Sequence, residues 1–98
     1  MLDSEEEREK YSLTFRSLSP EEFAKEFGNT NYFYQKRCFE KLVEEYVNQS
    51  NSGKKQNRPE LSSSLENAST ALYLVVKSLG KVCDACRSYI KNHFKNMN

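Results

Sequence analysis

Ninety-eight residues suit a single domain. Lys plus Arg is 15 and Asp plus Glu is 14, so the net charge is close to zero, and disorder, which needs low hydrophobicity together with high net charge, is not expected. No apolar run approaches the ~18 residues of a membrane span, and the acidic N-terminus is unlike a secretory signal, so a folded, soluble, cytoplasmic domain is the expectation.

Six Tyr and six Phe supply much of the apolar surface. Three Gly and two Pro are too few for a turn-rich β-sandwich. Cys38, Cys83 and Cys86 form an odd set, which fits free thiols in a reducing compartment better than a disulfide framework.

A first helix is expected from about Ser4 to Ser17. Glu5, Glu6, Glu7 and Glu9 suit its early turns, and Tyr11, Phe15 and Leu18 give it one apolar stripe. Ser19-Pro20-Glu21-Glu22 is a second helix start, with Ser19 as cap, Pro20 at the first position and Glu22 closing a capping box. Gly28 is its natural stop. Phe23 and Phe27 lie one turn apart on its face.

The third helix is expected from about Asn31 to Gln49, capped by Thr30 or Asn29. Tyr32, Phe39, Leu42, Val43, Tyr46 and Val47 form its apolar side. Tyr32, Phe33 and Tyr34 sit in a row, and adjacent helical residues point ~100° apart, so at least one ring must be partly exposed. Such rings suit a protein interface. The alternative is that they cover the second helix through Phe23 or Phe27. The run at about 48–57 is polar, contains Gly53 and lacks any apolar residue, which reads as a linker.

The last helix has two possible starts, Asn57 with Pro59 and Glu60, or Ser63 with Glu66. Its apolar positions then step by four and three: Leu61, Leu65, Ala68, Leu72, Val75, Leu79, Val82, Cys86, Tyr89 and His93. Val76, Cys83, Ile90 and Phe94 widen the stripe. Leu72, Val75 and Leu79, at its centre, are expected to be fully buried. Gly80 interrupts the run at a cost of about 1 kcal/mol relative to Ala, yet the phase continues across it. The expected fold is all-α, a three- to four-helix bundle in one domain over 1–98, with the long C-terminal helix as its spine.

Charge divides along the chain. Residues 1–28 hold eight acids and four bases, and residues 77–98 hold five bases and one acid. The acidic N-terminal helix is therefore expected near the basic C-terminal one.

Few residues suggest chemistry. Cys83-Asp84-Ala85-Cys86 falls inside a helix with no strand before it, unlike a dithiol oxidoreductase. Cys38, Cys83, Cys86 and His93 have the donor types of a Cys3His zinc site, but such spacings normally lie in knuckles, and buried core thiols are the favoured account. No nucleophile elbow or Gly-rich phosphate loop is present, so neither catalysis nor a cofactor is expected. Lys54, Lys55, Arg58, Lys77, Lys81, Arg87, Lys91 and Lys95 would serve a nucleic-acid interface, though the pI of 7.7 is low for one.

The favoured function is therefore a non-enzymatic interaction protein (an adaptor, regulator or assembly subunit) working through helix packing. Tyr32, Phe33, Tyr34, Val82, Tyr89, Ile90 and Phe94 are its candidate partner-binding residues. A helix from Arg58 to Asn96 would outrun its neighbours, so a homodimer through its C-terminal half is expected.

Overall fold

The computed structural model describes the backbone of residues 15–96 and the side chains of residues 15–89. A short 3-10 turn, Phe15–Ser17, precedes three helices: α1, Pro20–Gly28; α2, Tyr32–Lys55; and α3, Pro59–Asn96. The described residues contain no strand, so the fold is all-α. Most of the first expected helix lies outside the described residues. Its last three residues form the 3-10 turn, in which Arg16 and Ser17 take left-handed backbone.

The start of α1 follows its capping box. The Ser19 hydroxyl accepts from the Glu22 N–H at 3.1 Å, and the Glu22 carboxylate accepts from the Ser19 N–H at 3.2 Å. Two orphan amide donors are thereby satisfied. Asn29 ends the helix, and the Thr30 hydroxyl donates to the Phe27 carbonyl at 2.6 Å. The cap of α2 is therefore neither Thr30 nor Asn29. It is Asn31, whose side-chain oxygen accepts from the Phe33 N–H at 2.7 Å. Gln35 is buried behind this junction and donates to the carbonyls of Gly28 and Thr30. One amide side chain thus fixes the angle between α1 and α2.

The expected linker at 48–57 is helical through Lys55. Its polar residues do not loop out, because Ser50 and Gly53 face α3 and are buried. The turn proper is short. Asn57 has left-handed backbone (φ 58°), the Arg58 N–H donates to the Gly53 carbonyl at 2.8 Å, and the Asn57 N–H donates to that of Lys54 at 3.1 Å. This is a Schellman ending, a role usually filled by Gly and here by Asn. Asn57 thus closes α2 instead of opening α3.

The helices α2 and α3 form a long antiparallel hairpin. Three contacts set its direction. Ser50 meets Ser62 near the turn, Lys36 reaches Gly80 toward the open end, and Arg87 lies over Phe33 at the open end itself. The 38 residues of α3 continue through Gly80 without interruption. The radius of gyration is 18.4 Å and the extents are 62 × 28 × 16 Å. A compact domain of this size would have a radius near ~13 Å, so the molecule is drawn out along α3.

The face that α3 turns to α2 is one position away from the expected centre. Val76 (6% exposed) and Cys83 (3%) are buried, as are Ser62 and Ser69, whereas Val75 is 43% exposed. Leu72 and Leu79 are only half-buried. Ser62, Ser69, Val76 and Cys83 recur every seven residues, as the inner face of a supercoiled pair must. Hydrogen bonds offset the desolvation of the polar members: the Ser50 hydroxyl donates to the Ser62 carbonyl at 2.9 Å, both Ser hydroxyls share a bond, and the Ser69 hydroxyl donates to the Glu66 carbonyl. Small side chains let the backbones approach. A Cβ on Gly53 would lie 3.4 Å from the Ser62 backbone.

Candidate interaction surface

Because α3 buries the Val76 column, the neighbouring column is left outside. Leu61, Ala68, Val75, Val82 and Tyr89 repeat every seven residues along it. Leu61, Val75 and Val82 are 37–43% exposed, and Tyr89 is 71% exposed. A second column, Ser64, Ala71, Ser78 and Ala85, runs beside it and is exposed throughout. Together they make a strip of 28 residue steps, about 42 Å long at 1.5 Å per residue. It carries no charged residue.

Charge collects on the other side of the hairpin. Lys54 pairs with Glu66 at 3.2 Å across the two helices. Arg87 pairs with Asp84 at 3.4 Å and stacks on Phe33, and Lys77 lies over the Tyr73 ring. These pairs are exposed, so each is worth little to stability. They lie on the side of α3 away from the strip, which Glu60 and Lys81 flank.

The α1 side holds an aromatic cluster. Phe15 meets Phe23 edge-on at 5.3 Å, Phe23 stacks on Phe27 at 5.4 Å, and Phe27 meets Phe39 edge-on at 5.6 Å. These rings, with Cys38 and Leu42, border an open cavity of about 420 Å³. Tyr34 stands at its rim with its ring 6.4 Å from Phe27. A hydrogen bond with Cys38, and the charge that thiol acquires on ionising, raise the Tyr34 hydroxyl above its ordinary value of 10.0.

The expected binding residues are therefore scattered. Tyr32 and Tyr34 are exposed, Phe33 is half-covered by Arg87, and Val82 and Tyr89 belong to the strip. Three adjacent rings on one helix point three ways, as the helical rotation requires. The side chains of Ile90 and Phe94 lie outside the described residues. Leu61 and Val75, with half-buried Ala68, join the surface although their four-and-three spacing predicts them on the apolar stripe of the core. Only the position of α2 decides between those roles.

The expected basic residues do not form one patch. Lys54, Lys55 and Arg58 lie at the turn, and Arg87 lies 29 residues further along α3 from Arg58, about 44 Å away. Lys77 and Lys81 fall between, and the side chains of Lys91 and Lys95 lie outside the described residues. Among the described residues, no three His, Cys, Asp or Glu side chains converge as a metal site requires. Cys83 is buried on the seam, while Cys86 and Cys38 are half-buried, Cys38 beside the aromatic cavity. The His93 side chain lies outside the described residues.

Within the described residues no helix is long and apolar enough to cross a membrane. No family model, curated protein or solved structure matches the chain.

Proposed function

We propose that this chain is a helical interaction protein, an adaptor, regulator or assembly subunit that acts by packing a partner along the outer strip of α3. One observation carries the reading. Among the described residues, the buried hydrophobic side chains are Val76 and Cys83, while an apolar, charge-free strip stays exposed beside them. A hairpin buries only one face of each helix, and an amphipathic helix gains most of its stability from packing its apolar side. An exposed apolar surface of this continuity marks an interaction site.

The test places a photo-cross-linking residue at Val82, on the strip, and separately at Lys77, on the polar side, within the full chain in its native cells. A protein adduct from Val82 and none from Lys77 is the expected result. Absence of any adduct from Val82, or equal adducts from both positions, overturns the reading.

A further inference from the structure

We draw no further inference here: the strongest candidate, the open aromatic cavity of about 420 Å³ that Phe23, Phe27, Phe39 and Leu42 border between α1 and α2, is an apolar hollow, and nothing in the structure shows what fills it.

Discussion

The helix α2 makes two packings of opposite kinds. At the closed end, near its turn into α3, Ser50, Gly53 and Ser62 bring the backbones together, and every buried hydroxyl there has a partner. Toward the open end, the rings of Phe15, Phe23, Phe27 and Phe39 pack α1 against α2 and still leave a cavity. The first contact is tight and polar; the second is apolar and half-exposed. A short turn already restricts where α2 and α3 can go, so small satisfied side chains suffice beside it. Where α1 lies on α2, Gln35 ties the connecting residues and large rings fill the space beyond them.

The strongest way to break this contrast is at the open end. Phe27 touches three other rings. Phe27→Ala should cost α1 about 3 kcal/mol of docking, the low end for a buried ring because Phe27 is only half-buried. Amide exchange across α1 should then rise by about 100-fold, given ~1.4 kcal/mol per factor of ten, while the α2–α3 seam near Ser50 keeps its protection. Equal loss at both ends would show that the hairpin depends on α1.

At the closed end the reverse substitution should hurt. Ser62→Leu makes the buried position bulkier and more apolar, as a sequence-based core would prefer, yet it should destabilise by about 2 kcal/mol through overpacking against Gly53 and loss of the bond between the Ser50 and Ser62 hydroxyls. Denaturant unfolding reads this, and a stabilised variant would mean that the backbones are not close there.

A smaller effect separates the two columns of α3. Val76→Ala should cost about 1.5 kcal/mol, two buried methyl groups at ~0.8 each, and Val75→Ala less than ~0.5 in the dilute monomer. Reversed values would move the seam by one position.

The smallest effect is at the rim of the aromatic cavity. Tyr34 should titrate above 10.0, and Cys38→Ala should lower its midpoint. A raised phenol favours the neutral form in the fold. Its contribution is therefore fully present below the unfolded value and is lost as pH rises through the folded midpoint. Phenolate absorbance with the other tyrosines replaced would follow it, and no change in Cys38→Ala would remove the thiol as the cause.

Part of the architecture was legible because its cause is local. Ser19 and Glu22 lie three residues apart and cap each other wherever α1 packs, whereas the expected stop, Gly28, is the last helical residue and Asn29 is the cap. The run from Leu61 continues across Gly80 because α3 stays helical there. The polar stretch from Asn48 misled for an equally physical reason. Ser and Gly commonly mark loops, but here Ser50 and Gly53 are small enough to be the inner face of a close helix pair. That use depends on Ser62 across the turn, which no local window contains.

The candidate surface divides in the same way. The amino-acid order alone determined that α3 would be helical, that its apolar residues would repeat with a seven-residue period, and that its charges would lie elsewhere. It offered two adjacent columns, a wholly apolar one through Val75 and one through Val76 that includes Ser62 and Ser69, and the more apolar one is not the one that faces α2. Which column faces inward was decided only when α2 docked through Ser50, Gly53 and Lys36 and turned Val76 and Cys83 toward itself. A helix rotates ~100° per residue, so that one-position shift moves Val75 from the expected centre of the core to the edge of an exposed strip. The helical period is a property of the chain, whereas its phase is set by the neighbouring helix.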